Sequence, residues 1–222
     1  MKRNILLSLT LMAAAATGAI AQTPTTIQAL DRIAEGACVS FDYTYWVASG
    51  QNASLSQTSE GTVTAQRDAY VVTGLGLEVR SDEKTRWSID PAAKEVLIES
   101  VADVVAEDLF LTPTLAVCRY QSFFSPKFVG RTFVSDGFVD RFDLTLKAGA
   151  AQEYSEVYLL VMTDDESDPE KVRLSFGFKG SDATWVEIRT GELSFTDAKP
   201  LDFYRPAANA FSGKEWIVTD LR

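Results

Sequence analysis

The side chains that could do chemistry in this sequence are mainly carboxylates. Asp164, Asp165, Glu166 and Asp168 share one predicted hairpin turn. A calcium site would explain them, but an EF-hand loop needs ligands at alternate positions and a glycine at the sixth, and the order here does not match. The expectation is therefore a solvated turn.

A second carboxylate group, Asp136, Asp140 and Asp143, raises the hypothesis of a hydrolase. A glycosidase places two carboxyl groups at a set separation across a sugar cleft. The spacing here fixes no such separation, and charged residues on the exterior of strands are ordinary. Single substitutions of the three acids that change no activity would remove this hypothesis.

The sequence contains no histidine. This excludes Ser-His-Asp and Cys-His catalysis and the commonest zinc ligand sets. The missing histidine agrees with our expectation that the chain is not an enzyme and holds no metal or cofactor.

The two cysteines, Cys38 and Cys118, could be joined by a disulfide. Export to an oxidising compartment favours that pairing, which would tie the first strand to the middle of the chain. Two buried free thiols are the alternative, and the sequence alone does not choose between them.

The N-terminus has the features of a secretory signal peptide. Two basic residues precede an apolar stretch at 5–16 that is too short to span a bilayer, and Ala19 to Ala21 fits the cleavage rule. We expect a signal peptide at 1–21 and a single exported domain at 22–222, periplasmic if the cell has two membranes; an uncleaved signal anchor is the alternative. Cleavage removes two of the 21 basic residues and none of the 31 acidic ones, which leaves 19 − 31 = −12. Such a surface repels nucleic acid and anionic membranes.

The remaining pattern predicts a mainly β (α+β) fold. A helix at 25–35 ends at Gly36, a second helical pattern covers 101–111, and "TLAVCRY" could form a short helix after it. Nine or more strands surround these helices, and "AYVVTGLGLEV" is interpreted as one strand with a bend or bulge at its glycines. Residues 121–138 are expected to be irregular. A long antiparallel sheet of this kind curls into a barrel or sandwich, and the helices can cover its open face.

Aromatic and aliphatic residues alternate with polar ones along these strands and should line the concave side of the curled sheet. A filled core is the ordinary explanation of such a stripe, and a ligand cavity is the alternative; periodicity does not separate them. The candidate cavity residues are Phe41, Tyr43, Tyr45, Tyr70, Val72, Trp87, Ile89, Leu144, Leu146, Phe176 and Phe178.

The stretch from Gly61 to Pro91 resembles the outer-membrane lipoprotein carrier family, the LolA-type periplasmic chaperones. "GTVTAQRD" is similar to the family's Gly-x-Leu-x-x-Lys-Arg-Pro strand, and "SDEKTRWSIDP" is similar to its Ser-Asp-Gly-Lys-Thr-Leu-Trp-x-Tyr-x-Pro hairpin. The terminal "DLR" also occurs in some members. Asp68, Glu83 and Ile89 depart from the family's Pro, Gly and Tyr.

The resemblance implies an unclosed β-barrel with a central helical lid, whose apolar cavity carries lipoprotein acyl chains from the inner to the outer membrane. It implies that Arg67 contacts the lid. The implied partners are acylated lipoproteins, a releasing ABC transporter of the inner membrane and an outer-membrane receptor, and a monomer is expected. A different exported β-barrel that binds a free lipid or another small apolar molecule is the alternative function.

Overall fold

A computed structural model describes residues 28–50, 54–101, 117–118, 120–134, 137–147, 154–163, 171–180 and 184–222. The predicted signal peptide, nearly all of the predicted helix at 101–111 and the acidic turn at 164–168 lie outside these residues. Helix α1 (Gln28–Ala34) precedes the first strand, and the short helix α2 (Tyr120–Phe123) follows the sixth. No helix in the described ranges is long and apolar enough to cross a bilayer.

Thirteen strands within the described residues form one sheet. They are β1 (Cys38–Ala48), β2 (Ser56–Gln66), β3 (Ala69–Gly74), β4 (Leu77–Asp82), β5 (Thr85–Asp90), β6 (Glu95–Ser100), β7 (Phe124–Val134), β8 (Gly137–Leu146), β9 (Tyr154–Thr163), β10 (Val172–Gly180), β11 (Trp185–Thr190), β12 (Ser194–Thr196) and β13 (Ile217–Asp220).

The strand order is β13-β6-β5-β4-β3-β2-β1-β11-β10-β9-β8-β7, and β12 pairs with β1. Consecutive strands pair antiparallel from β1 to β6 and from β7 to β11. Strand β1 joins the two series by pairing antiparallel with β11, and the C-terminal β13 runs parallel to β6. The end strands β13 and β7 do not pair with each other, so the curled sheet is unclosed. The prediction of a mainly β, curled, unclosed sheet with an N-terminal helix is confirmed, and a central helical lid is not shown.

The stretch "AYVVTGLGLEV" forms a hairpin, so the prediction of one bent strand was wrong. Leu75 and Gly76 have φ values of 54° and 77° and form a two-residue turn between β3 and β4. Positive φ at both central residues suits the twist of such hairpins. The turn reverses the chain and pairs Val72 with Val79, which places these two side chains on one face of the sheet.

Residues 121–138, predicted to be irregular, include the edge strand β7. Most of its side chains are exposed, including Val129 and Phe133, because β8 is the only strand that pairs with β7 among the described residues. A bulge between Phe128 and Gly130 also shifts its register. An edge strand that is exposed on both faces has no buried-exposed alternation for a sequence pattern to reveal.

Helix α1 ends as the sequence predicts. The Gly36 N–H donates to the Ile33 carbonyl at 3.0 Å, and the Ala37 N–H donates to the Arg32 carbonyl at 3.1 Å. This pair of bonds is the Schellman motif, and Gly36 has the left-handed φ of 99° that the motif requires. The buried side chains of α1 are those of Ala29, Leu30 and Ile33.

Candidate functional site

The pairing register gives the sheet two distinct faces. Opposite residues of paired strands project to the same side of a sheet. Tyr43 on β1 therefore shares a face with Val63 on β2, which lies two residues from the partner of Tyr43, and with Val72 on β3, which pairs with Val63. In the other direction the same face carries Ile188 on β11 and Phe176 on β10. We call this the inner face, because the main core cluster lies on it, and the opposite side the outer face.

Nine of the eleven predicted cavity residues belong to this core cluster on the inner face. Tyr45 and Leu146 are partly buried against it, and the others are buried. The nine are Phe41, Tyr43, Tyr45, Tyr70, Val72, Leu144, Leu146, Phe176 and Phe178.

The other two, Trp87 and Ile89, lie on the outer face, which corrects the prediction that all eleven line the concave side. Trp87 pairs with Arg80, and Arg80 pairs with Val71, whose side chain points away from those of Tyr70 and Val72. Trp87 and Ile89 instead form a separate outer cluster with Val96, Ile98, Phe211 and Trp216. The hairpin tryptophan therefore packs beneath the C-terminal segment.

Short helical elements cover the inner face. Ala29, Leu30 and Ile33 of α1 belong to the same core cluster as the inner-face side chains. So does Tyr120 at the start of α2, whose ring centroid lies 6.1 Å from that of Phe176. Side chains of α1 and α2 thus cover the inner face and contact it at a few positions.

The covered part of the inner face is closely packed. Phe176 and Phe178 are 1% and 2% exposed, and Phe41 is 4% exposed. A ligand could reach these side chains only if the helical elements move. Binding there would therefore require a conformational change.

Beyond the helices, the inner face opens into a cavity of about 330 Å³. Its apolar lining includes Leu77 and Val79 of β4, Leu97 of β6 and Ile217 of β13, and its polar lining is Ser88, Asp90, Glu95 and Thr219. Val79 also packs against the main cluster, so the cavity continues the covered face. Ile89 borders this cavity although its side chain lies in the outer cluster. Leu77 and Val79 were not predicted to line a cavity because the turn at Leu75–Gly76 was interpreted as a bend, and Ile217 was not predicted because its place depends on the pairing of β13 with β6.

A larger open cavity, of about 590 Å³, lies over β1, β2, β10 and β11. Asp42, Thr44 and Thr62 project into it from the outer face, together with Arg173 and Arg189. The Arg189 guanidinium is paired with the Glu187 carboxylate at 2.8 Å and lies 4.4 Å from the Trp46 ring centroid. This cavity is polar and is separated by the sheet from the apolar cluster.

The C-terminal segment is held in place by a buried carboxylate. Asp82 accepts hydrogen bonds from the Thr85 N–H at 2.8 Å and from Arg205 Nε at 2.6 Å. Burial raises the pKa of Asp82, but these donors outweigh burial and hold the pKa below its ordinary value. The fixed Arg205 positions the chain that continues into β13 and its cavity residue Ile217.

Arg67, the predicted lid contact, lies in the two-residue turn between β2 and β3 with φ 54°. Its side chain packs over Gly36 at the end of α1: a Cβ built on Gly36 would be 2.5 Å from Arg67 Nε. Arg67 therefore touches a helix that covers the inner face. The predicted contact with the central lid falls on residues outside the described ranges.

The predicted acids do not converge. Asp140 lies on the inner face and is fully buried, whereas Asp143 lies on the outer face and pairs with Arg141 at 3.1 Å. Asp136 lies outside the described residues. Asp140 and Asp143 lie three residues apart on β8, so their side chains project to opposite faces of the sheet and do not enter one cleft.

Asp140 is held by the Arg131 guanidinium through two bonds, Nε to Oδ1 at 2.7 Å and Nη2 to Oδ2 at 3.0 Å. The guanidinium lies over the Phe138 ring, 3.8 Å from its centroid. Thr163 pairs with Phe138 in the sheet and is 1% exposed. Among the described residues its hydroxyl has no hydrogen-bond partner. No sequence pattern predicted this group, since Arg131 falls in the stretch that was expected to be irregular.

Cys38 and Cys118 are both free thiols, so the disulfide that the sequence allowed is not formed in this structure. Cys38 Sγ lies 3.5 Å from the hydroxyl oxygen of the buried Tyr204. Burial, together with the nearby Asp68 and Cys38, raises the pKa of Cys118 to about 12. The Cys118 thiol is therefore protonated and unreactive at neutral pH.

Comparison with known proteins finds similarity only among solved structures. No protein-family model and no curated protein sequence matches the chain. An uncharacterized conserved protein from Thermus thermophilus matches with a TM-score of 0.50 at 12% identity, over 87% of this chain and 97% of that one. A LolA superfamily protein from Nitrosomonas europaea has a TM-score of 0.43 at 11% identity, over 82% and 96%. A DUF1329 family protein from Desulfovibrio piger has 0.41 at 9% identity, over 83% and 95%. The likeness to the Thermus thermophilus protein is thus one of fold alone.

Proposed function

We propose that this chain is a non-enzymatic binder of acyl chains, and that it carries lipids or acylated lipoproteins across the periplasm. The observation that carries the proposal is the buried apolar cluster on the inner face, which is covered by short helical elements and adjoins an open cavity with a partly apolar lining. The cavity volume of about 330 Å³ lies at the lower end of the range of ligand pockets.

A ligand could displace the covering helices from the inner face at a modest cost in free energy. Helix α1 has seven residues, and helices of this length are not stable alone. Its two large buried side chains, Leu30 and Ile33, contribute roughly 1.5–3 kcal/mol each. An acyl chain gains about 0.8 kcal/mol per buried methylene. A chain of several methylenes could therefore replace α1 on the inner face without a large net change in free energy.

The carrier role adds a need for release. A carrier must give up its ligand, and closely balanced closed and open states allow this. The sequence resemblance to LolA-type proteins supports the transport direction, from an inner-membrane transporter to an outer-membrane receptor. The predicted signal peptide supports a periplasmic location.

The binding test compares two exposed apolar residues. Leu77 is 45% exposed and lines the cavity, whereas Val218 is 47% exposed and is not among the residues that line it. Leu77→Asp should weaken binding of a fluorescent fatty acid by about tenfold, because about half a leucine's apolar contact is lost. Val218→Asp is the matched control and should leave the affinity unchanged. If wild-type protein takes up no acyl probe and copurifies with no lipid or lipoprotein, the proposal fails.

Transport is tested separately in cells. Deleting the gene should strand lipoproteins in the inner membrane if the chain is a carrier. Normal sorting in the deletion strain, together with acyl binding by the purified protein, would show the alternative role of binding a free lipid.

A further inference from the structure

Two carboxylates lie side by side at the open cavity of the inner face. Asp90 of β5 and Glu95 of β6 line this cavity and are directly opposite each other in the strand register. Opposite residues project to the same side of a sheet, and like charges in this position destabilise the pairing of two strands. The two acids therefore weaken the hairpin that carries them, and a role in the cavity would explain their presence.

The negative charge of this pair is not neutralised by the described residues around it. The Glu95 side chain is exposed and forms no hydrogen bond or ion pair with the part of the chain that the structure describes. Asp90 accepts hydrogen bonds only from two backbone N–H groups of the following turn, at 2.9 Å each. The neighbouring Lys94 lies toward the outer face, since its Nζ is 5.2 Å from the ring centroid of Trp216 in the outer cluster. None of the described residues that line the cavity is basic.

An apolar surface begins beside the two acids. Leu97 lies one side-chain row further along the same face, where it pairs with Ser88, and Ser88 pairs with Val79. Val79 pairs in turn with Val72 of the main cluster. A hydrocarbon tail that lies along this row toward the main cluster can place its head beside the acids.

We infer that the open cavity binds an amphiphile whose head carries an ammonium group, and that Asp90 and Glu95 select this head over an anionic one. The inference rests on the proposed function, since it needs an acyl or alkyl tail on the inner face. Each acid attracts a cation and repels a carboxylate or phosphate at the same place, so both effects favour the ammonium head.

An organic cation suits this place better than a metal ion. Calcium takes about six to eight oxygen ligands, and no group of three or more possible metal-ligating side chains occurs in the described ranges. Leu77 and Ile217, which line the same cavity, offer no ligand atoms but can contact methylene groups. An ammonium group on an alkyl chain therefore matches both the acids and their apolar neighbours.

The test measures how three probes of one chain length displace a fluorescent acyl reporter from the purified protein: dodecylamine, dodecanoate and dodecanol. At neutral pH the amine is positive, the carboxylate is negative and the alcohol is uncharged. We expect the amine to bind about twofold to tenfold more tightly than the carboxylate, which is the effect of exposed charges beside two acids. This preference should shrink at about 1 M salt, because salt screens exposed charges.

Substitutions of Glu95 separate its local effect from the net charge of the chain. Glu95→Gln should lower the ratio of amine affinity to carboxylate affinity about twofold to fivefold and leave dodecanol affinity unchanged. Glu95→Lys should reverse the preference. Glu192→Gln is the matched control, because Glu192 is exposed, lies between β11 and β12, and is not among the residues that line the cavity. It removes the same charge and should leave the ratio at the wild-type value.

Two natural sources could supply such a head: an amine-headed lipid, or a lysine side chain of an acylated protein. Lysophosphatidylethanolamine and an acylated lysine-containing peptide of the same chain length represent them. Tighter binding of the first would identify the lipid source, and tighter binding of the second the protein source. The version of each ligand with an acetylated amine is its control, since acetylation removes the positive charge and should weaken binding.

The outcomes distinguish this inference from the proposed function. Equal or tighter binding of dodecanoate than of dodecylamine, or a ratio that the Glu95 variants leave at the wild-type value, overturns the inference while acyl binding stands. If wild-type protein takes up neither the reporter nor any of the three probes, the proposed function fails, and this inference fails with it.

Discussion

Replacing Gly36 with alanine should destabilise the protein through two separable effects. The first is backbone strain, because Gly36 has a φ of 99° and a left-handed conformation costs a non-glycine residue about 1–2 kcal/mol. Alanine also restricts the unfolded chain, which offsets about 0.4–1 kcal/mol of this loss of stability. The second effect is a clash, since the new Cβ would be 2.5 Å from Arg67 Nε. The Arg67 side chain must then leave the end of α1.

Gly50 isolates the first effect. Its φ is 102°, and a Cβ at this position would meet nothing within 4 Å. We expect Gly50→Ala to lower the free energy of unfolding by about 1 kcal/mol. This is the backbone strain minus the stabilisation that comes from restricting the unfolded chain. Gly36→Ala should cost a further 0.5–3 kcal/mol, roughly the range of coupling between residues in contact.

Urea unfolding of four proteins measures the coupling: wild type, Gly36→Ala, Arg67→Ala and the double variant. In the Arg67→Ala background, the cost of Gly36→Ala should fall to that of Gly50→Ala. Uptake of an acyl probe should be faster in Gly36→Ala, because Arg67 no longer packs on the helix that covers the inner face. A cost of Gly36→Ala that is the same with and without Arg67 would refute the argument that this side chain holds α1.

Four further predictions follow from particular side chains. Trp87→Ala should lower stability by about 3–5 kcal/mol as a truncation in the outer cluster, yet leave acyl-probe affinity unchanged; a loss of affinity in folded protein would contradict its placement on the outer face. The free energy of unfolding should decrease as the pH falls below about 4, because the pKa of Asp82 is lower in the folded than in the unfolded chain. Asp82→Asn should reduce that decrease in pH-dependent urea unfolding, and an identical pH profile would contradict the assignment. Glu83→Gly should stabilise by up to about 1 kcal/mol in thermal unfolding, since Glu83 has a φ of 76°; a loss of stability would show that the Glu83 side chain matters more than its strain. Cys118 should resist alkylation at neutral pH until the protein is unfolded, as mass spectrometry would show, whereas rapid labelling of the folded protein would contradict its raised pKa.

The sequence predicted those parts of the fold in which one face of a strand is buried and the other is not. The β1 alternation and the hairpin of β5 and β6 were identified correctly, and Gly36 ends α1 as expected. Strand β7 was missed because its exposed side chains carry no alternation. The parallel pairing of β13 with β6 was also missed, since no local pattern encodes a partner more than one hundred residues away.

The candidate site was also predicted only in part. Period-two alternation identified the apolar side chains of the half-buried strands, and nine of the eleven chosen residues lie in the main inner-face cluster. The alternation does not say which faces of different strands coincide, because turn length and register decide that. The two-residue turn at Leu75–Gly76 therefore brought Val79 to the inner face and left Trp87 on the outer one.

By itself, then, the sequence determined the class of the fold, the apolar stripe of each strand and the absence of histidine chemistry. Only the tertiary structure decided that Trp87 supports the C-terminal segment, that Leu77 and Ile217 border an open cavity, and that Arg131 meets Asp140 at the end of the apolar cluster. The physical reason is that propensity and alternation act over a few residues, whereas these contacts depend on register accumulated across many strands of one curled sheet.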